Sequence, residues 1–495
     1  MDNLSLFIAI PAAVAFLIPI VSHRLKWFPD VSSSVITFIL FLFSLETLNH
    51  QCIYQMGGWP APIGIIFVLD GFSSMMLIIV NLIGFMACLF SVDYMEKIYT
   101  SKLRYYSLLL LVITGMNGVI LTGDLFNMFI FLEIALIASY ALVGFGCGSK
   151  DLEASFKYLV INMIATYFIF LGIALLYGRF ATLNMAHIVT SIQQYGTDSV
   201  VIFAFVLFFV GFGTKAAIVP FHAWVPDAYT AAPAPVSALL AGGIIKSLGI
   251  YVLMRLTYNV FGMSQVIANL FVYFGIASII IGALMALGQW NFKRLLAYHS
   301  ISHMGYIILG FGLGSPLGIL GGVFHLFNHS LFKSLLFFNS GSVEYETGNL
   351  NLRKLGRLSE KMPVTSVSSL IAFFSTSGIP PFNGFWSKLI IIIAAIQAGR
   401  PFSALWVVIG SILTLAYFAK IQRYVFFGNG DKFDESQVKD IKEVPSLMRV
   451  SLIILAVLCT IGGLLAIGGV NGVFGPVVNA LAGGTNQYIG EVFGK

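Results

Sequence analysis

Polar positions are rare along this chain, and they punctuate it more than they alternate with apolar ones. Runs such as VIFAFVLFFV (201–210) carry no polar side chain at all. A helix needs roughly 20 apolar residues to cross a bilayer. On that ruler the spans fall at 4–22, 31–48, 65–90, 105–122, 125–146, 154–178, 200–225, 234–257, 264–288, 295–313, 317–342, 364–398, 402–426 and 447–470. The pattern predicts an all-α polytopic membrane protein of about fourteen transmembrane helices. The span 364–398 is too long for one crossing and contains SGIPPFNGF, so a broken helix is expected there. The first span opens without a basic leader and without a small-residue cleavage site, which reads as a retained helix.

The stretch 211–246, GFGTKAAIVPFHAWVPDAYTAAPAPVSALLAGGIIK, breaks the pattern most. It places Lys215, His222, Asp227 and Lys246 among four prolines. An ionisable group at membrane depth costs at least about 2.5 kcal/mol, so its default reading is functional. Proline frees backbone carbonyls, which are tolerated at that depth only against protein or water. A lysine beside a broken helix is the pattern of an ion pathway.

Composition agrees with this picture. The chain is 58% hydrophobic and 10% charged, far below the charge of a soluble domain. That excludes most nucleic-acid readings despite a net charge of +6. The charge is topological. Loops after odd-numbered spans carry Arg24, Lys26, Lys97, Lys102, Arg104, Lys150, Lys293, Arg294, Arg353, Lys354, Arg357, Lys361, Lys432, Lys439 and Lys442; the even loops carry little beyond Arg179 and Arg400. The odd loops are therefore read as cytoplasmic, with both termini outside. The longest polar insert, 428–443, is expected as a partly helical cytoplasmic loop. Cys52, Cys88, Cys147 and Cys459 are scattered singly, with no metal or iron–sulfur spacing, no dinucleotide fingerprint and no phosphate loop. No cofactor and no metal are expected.

The remaining polar residues inside spans form a series. Glu133 is the one carboxylate placed mid-membrane, and Lys215 is its expected partner. Lys246 follows the small residues AGG. His325, His329 and Lys333, in HLFNHSLFK, recur every four residues and share one helix face, an arrangement suited to proton relay. A metal on the two histidines is the competing idea. Lys388 completes the row. Lys157 reads as either buried or interfacial. His299 and His303 are one turn apart but near the end of their span, and His222 is expected to hydrogen-bond the broken helix. Loose likenesses of 155–162 to 331–339, and of Lys215 near Pro220 to Lys388 near Pro380–Pro381, predict two inverted five-helix units, 105–257 and 264–426. Residues 1–104 form an N-terminal three-helix segment and 447–470 a final helix.

Five motifs carry a resemblance: TGDLFNMFIFLEI (122–134), the stretch 215–246, KRLLAYHSISHMGY (293–306), FNHSLFKSLLFF (327–338) and SGIPPFNGFWSK (377–388). The chain resembles, over nearly its whole length, the antiporter-like proton-channel subunits shared by respiratory complex I, Mrp cation/proton antiporters and membrane-bound hydrogenases. The resemblance implies fourteen helices, two inverted repeats and discontinuous seventh and twelfth helices. It makes Glu133 the glutamate of the fifth helix, Lys215 its partner on the seventh and Lys246 the central lysine of the eighth. His329 and Lys333 fall on the eleventh-helix connection and Lys388 on the twelfth helix. In having lysine at that last position, the chain looks more like the Mrp D-type branch and its hydrogenase relatives. A long C-terminal extension found in one type of complex I chain is not expected here.

The implied function is a proton-translocating subunit of a multisubunit complex in a prokaryotic inner membrane, with sodium as a second candidate cargo. Its implied partners are small membrane subunits, a homologous antiporter-like subunit and, in the redox-driven alternatives, a hydrogenase or oxidoreductase module. Two rivals stand beside it: a stand-alone sodium/proton antiporter, and a non-transporting scaffold or quinone-site subunit.

Overall fold

The structure is a computed structural model that describes residues 4–48, 50–99, 102–243, 245–433 and 440–494. Helices α1 (Leu6–Val21) and α2 (Phe28–Glu46) lead into a short antiparallel hairpin, β1 (Cys52–Gln55) and β2 (Ile66–Leu69), with Cys52 opposite Leu69. Helices α3 (Gly71–Ile98), α4 (Lys102–Leu121), α5 (Leu125–Val143) and α6 (Ser149–Phe180) follow, then the amphipathic α7 (Met185–Tyr195). Next come α8 (Ser199–Ala216), α9 (Val225–Ala231), α10 (Ala234–Ala238) and α11 (Ile245–Met254). The second part holds α12 (Gln265–Leu287), α13 (Phe292–Gly312), α14 (Pro316–Thr347), α15 (Pro363–Ser377), α16 (Asn383–Gln397) and α17 (Pro401–Ile421). Helices α18 (Ser446–Ile461), α19 (Gly475–Ala482) and α20 (Gly484–Phe493) close the described chain.

Among the described residues, 10 helices are long and apolar enough to cross a membrane, and Leu6–Val21 and Asn383–Gln397 are shorter apolar ones. Helices α13 and α14 have spanning length, 21 and 32 residues, yet lie outside that set of ten. They carry the His, Lys, Ser and Asn side chains that lower hydropathy, and they are buried over most of their length. Helix α14 is the hub, packed against α13, α15, α16, α18 and α3.

Both proline-rich stretches interrupt their helices. Helix α8 stops at Ala216, Ala217 takes a left-handed conformation with φ 56°, and the helix resumes as α9. Trp224 Nε1 donates to the Thr214 carbonyl (2.9 Å) and closes that gap. In the second break α15 ends at Gly378, φ 82°, where only a residue without Cβ sits easily. Asn383 contacts Ser375 across the gap, and Asn328 Nδ2 donates to the Asn383 carbonyl (3.0 Å), tying the break to α14.

Three elements depart from the sequence reading. The expected span 65–90 begins as a strand, because Asp70 caps α3 in a reciprocal box with Ser73 and fixes the helix start. The hairpin is a departure from an all-α chain. Helices α7, α19 and α20 were not anticipated. Residues 434–439 of the polar insert lie outside the described residues.

Two matching clasps bind the helix pairs. The Leu125 amide donates to Leu183 and the Met185 amide to Gly123; likewise Phe292 donates to Leu350 and Leu352 to Trp290, all at 2.9 Å. These clasps pair Asp124 with Asn184 and Asn291 with Asn351. Helices α5 and α13 start, and α6 and α14 both start and end, at the same interval along the chain.

Candidate functional site

Every lysine in the series except Lys157 is buried. Lys215, in the last turn of α8, points its ammonium at α6, donating to the Asn162 carbonyl (2.8 Å) and the Thr166 hydroxyl (2.7 Å). Glu133 on α5 is half-buried, and its Oε1 has no hydrogen-bond partner. The two charges act on each other through space, but the expected direct pair does not form. The reason is local: α6 backbone and hydroxyl oxygens lie nearer to the end of α8 than the carboxylate does.

Lys246 is fully buried and its Nζ has no hydrogen-bond partner; it lies over the face of Tyr229, 5.2 Å from the ring centre. The π-helical turn Leu239–Gly243 lies just before it. Such turns leave backbone groups displaced from the ordinary ladder and recur at functional sites.

The second part holds a denser network. Lys333 Nζ lies 2.6 Å from His299 Nδ1 and donates to the Leu296 carbonyl (2.6 Å). His299 Nε2 meets the Thr376 hydroxyl at 2.8 Å, and the Thr376 carbonyl accepts from Lys388 Nζ at 2.8 Å. Lys388 sits just after the break and caps the last turn of α15, where helix carbonyls favour a cation. His325 joins His303 (3.0 Å) and the Ser387 hydroxyl (2.9 Å). His329 reaches Ser300 at 3.4 Å, leaving Nδ1 unpartnered. Both ring nitrogens of His325 are thus engaged with protein groups, so it does not converge with His329 on a shared ion.

The structure therefore brings Lys333, Lys388 and His325 into one neighbourhood with two residues that sequence reasoning set aside. His299 and His303 were placed near a helix end; α13 in fact begins at Phe292, and α14, α15 and α17 wrap both imidazoles completely. The missed signal was the four-residue spacing in AYHSISHMGY, which matches the one read in HLFNHSLFK. Lys157 is exposed and paired with Glu153 (2.7 Å) and Asp227 (3.3 Å), which sets it apart from the buried lysines. Asp227 also binds Arg294 (2.7 Å); although burial opposes it, these cations hold its carboxyl below the ordinary value. The backbone carbonyl of His222 accepts from the Val225 amide (3.1 Å) ahead of α9, while its imidazole Nδ1 has no hydrogen-bond partner.

Comparisons with known proteins agree with this arrangement. Residues 122–414 match the family described as NADH:quinone oxidoreductase/Mrp antiporter, TM, and residues 56–106 match the N-terminus of complex I chain 5. The chain is 34% identical to the D-type subunit of the Na(+)/H(+) antiporter of Alkalihalophilus pseudofirmus over 78% of each chain. It is 35% identical to the N-type subunit of the NADH-quinone oxidoreductase of Desulforudis audaxviator over 74% of each. Among solved structures it resembles a chain of the Mrp complex from Dietzia (TM-score 0.90, 28% identity, 99% of both chains). It also resembles one of an archaeal membrane-bound sulfane sulfur reductase (TM-score 0.89, 30% identity, 99% of this chain and 100% of that one). This is a multi-pass membrane protein, an antiporter-like subunit of a multisubunit complex, and it belongs to the NADH:quinone oxidoreductase/Mrp antiporter family.

Proposed function

We propose that this subunit moves protons along a buried axis running from Glu133 and Lys215, through Lys246, to His329, Lys333, His299, His303, His325 and Lys388. The observation that carries the reading is the hydrogen-bonded run from Lys333 through His299 and Thr376 to Lys388, with Lys246 unpaired beside it. An amine with no anion nearby gains from losing its proton, and an imidazole can accept on one nitrogen while donating from the other. Lys246 acts through space on both His329 and Lys333, so its charge state biases the relay.

The topology that supports this is two inverted five-helix units, about 105–257 and 264–426, between residues 1–104 and a final helix at 447–470. Ten helices qualify as spans; α1, α13, α14 and the broken α15–α16 pair bring the number to about fourteen. The identical clasps at Asp124–Asn184 and Asn291–Asn351 support the repeat. The basic end, with Lys97, Lys157 and Arg294, is cytoplasmic, and the hairpin end is outer.

The complex is a prokaryotic inner-membrane assembly of either the Mrp antiporter or the redox-driven type, and its cargo is protons, exchanged for sodium in the Mrp case. Transport by the whole complex, reconstituted with Lys215→Ala or Glu133→Ala, tests the reading. Both variants are expected to fall to a small fraction of wild type; unchanged transport removes the mechanism. Mass spectrometry of the native complex then separates the two settings. Redox subunits mark a pumping arm; small membrane subunits with a larger homologue mark an Mrp antiporter.

A further inference from the structure

At the hairpin end of the Lys246 helix lies a second charged cluster that the proton axis does not use. Asp70, the cap of α3, accepts two hydrogen bonds from the Arg255 guanidinium, at 2.6 and 2.8 Å, and both residues are buried. Arg255 opens the π-helical segment Arg255–Phe261 and donates to Tyr251 (3.2 Å) and Asn259 (3.2 Å). It is flanked by the rings of Phe72, Tyr251 and Tyr488, at 5.4–5.7 Å. Asn259 in turn donates to the carbonyls of Ala480 (2.8 Å) and Gly484 (3.3 Å) and anchors α19 and α20. The cation is therefore held by three hydrogen-bonding residues, Asp70, Tyr251 and Asn259.

Beyond it is water. A cleft of about 270 Å³ is lined by Gln51, Cys52, Ile53, Val68, Leu69 and Glu491. Leu69 immediately precedes Asp70, and Glu491 is close enough to act on both Asp70 and Arg255. On the inner side, Tyr251 links Arg255 back along the helix, its hydroxyl donating to the Ile120 carbonyl (2.7 Å). Tyr251 and Arg255 thus stand on the helix between Lys246 and the cleft, Arg255 lying about 14 Å of helix beyond Lys246.

Water entering along that end of the helix would short-circuit any proton held on Lys246. A buried ion pair contributes little net stability, because desolvation of both ions offsets their attraction, so its retention needs another reason. A fixed guanidinium in a narrow path is an electrostatic barrier to protons and metal cations. We propose that the Asp70–Arg255 pair is the outer seal of the first half of the axis, separating Lys246 from the cleft beside Glu491. Asp70 holds the cation in place; Arg255 supplies the barrier; the C-terminal helices clamp it through Asn259. The seal rests on the reading that Lys246 carries protons.

The test uses the whole complex in liposomes, with no driving reaction, under a potassium diffusion potential. D70N/R255Q keeps two polar side chains that can hydrogen-bond each other but removes the fixed charge. It is expected to raise passive proton influx about tenfold, while R255K, which keeps the charge, stays tight. Adding Lys246→Met to D70N/R255Q should return the leak to the wild-type level. A tight, assembled D70N/R255Q complex overturns the seal. A leak that persists without Lys246 overturns it too, since the pair then guards some other path. If the double variant does not assemble, Asn259→Ala, which frees the C-terminal helices and takes one hydrogen bond from Arg255 but leaves both charges and their contact in place, is expected to leak about threefold, and a tight Asn259→Ala complex then overturns the seal. Failure of the proton axis itself looks different: driven transport survives Lys246→Met alone, whatever the passive leak shows.

Discussion

Lys215 lies against two uncharged groups of α6, Asn162 and Thr166. Along the interval that carries α6 onto α14, those two positions become His329 and Lys333, and Tyr158 becomes His325. Glu133 on α5 becomes Ser300 on α13. The comparison teaches how one backbone plan supports two kinds of site. The first half offers one amine and one carboxylate, so its state is set by a single charge pair acting at a distance. The second half exchanges hydroxyl and amide groups for imidazoles and an ammonium, which makes a chain of groups able to hand a proton on. Lys246 stands between them, unpaired.

The sharpest way to break this comparison is to remove the amine that α14 carries where α6 has Thr166. Lys333→Met takes away the hydrogen bonds to His299 and to the Leu296 carbonyl while keeping the volume. Proton uptake by the reconstituted complex is expected to fall about a hundredfold, in the range of a lost acid–base group. If the rate stays within a factor of about two, the second half is not a relay, and the two halves differ only in decoration.

Thr376→Val is the next test. The hydroxyl at this position joins His299 (2.8 Å) and lies 3.5 Å from His303, whereas its backbone carbonyl, which holds Lys388, survives the change. Transport is expected to slow about fivefold with little change in complex yield, since one buried hydrogen-bonding partner is worth about 1 kcal/mol. Equal losses of yield and activity would mean that Thr376 only packs.

Some of this was legible in the chain and some was not, for identifiable reasons. Prolines at 220, 380 and 381 announced both helix breaks, because a missing N–H is a local fact. The four-residue spacing of His325, His329 and Lys333 announced a shared face, because helix periodicity is local too. The partners were not legible. Lys215 turning to α6 rather than Glu133 depends on which oxygens the end of α8 meets in space. His299 and His303 were passed over because a length ruler set their helix three residues late, and because their burial comes from α14 and α15, distant in sequence. The hairpin hid inside an apolar run: IFVL merges with the helix after it unless the Asp70–Ser73 capping box is read as a boundary. Lys157 matched Lys333 by neighbouring letters, yet the clasps set a different register, in which Lys333 corresponds to Thr166.

That register makes Thr166→Val the finest probe of the comparison. The substitution is close to isosteric and removes only the hydroxyl that receives a hydrogen bond from Lys215; the Asn162 carbonyl still accepts its other one. The buried ammonium loses one of two partners, so it is less easily held in place and freer to turn towards the Glu133 carboxylate, whose Oε1 has no hydrogen-bond partner of its own. Two outcomes follow from the two kinds of site. Where the first half works as a single charge pair, hydroxyl loss alters how long Lys215 dwells at α6 but breaks no chain. The rate then changes about threefold, and Glu133→Gln cancels the effect because the second resting place is gone. Where the first half is a relay like the second, Thr166 is a link in it, Thr166→Val slows transport as much as Thr376→Val does, and Glu133→Gln adds to the loss. The double variant therefore separates a switch from a wire at a position whose counterpart in the second half, Lys333, belongs to the relay.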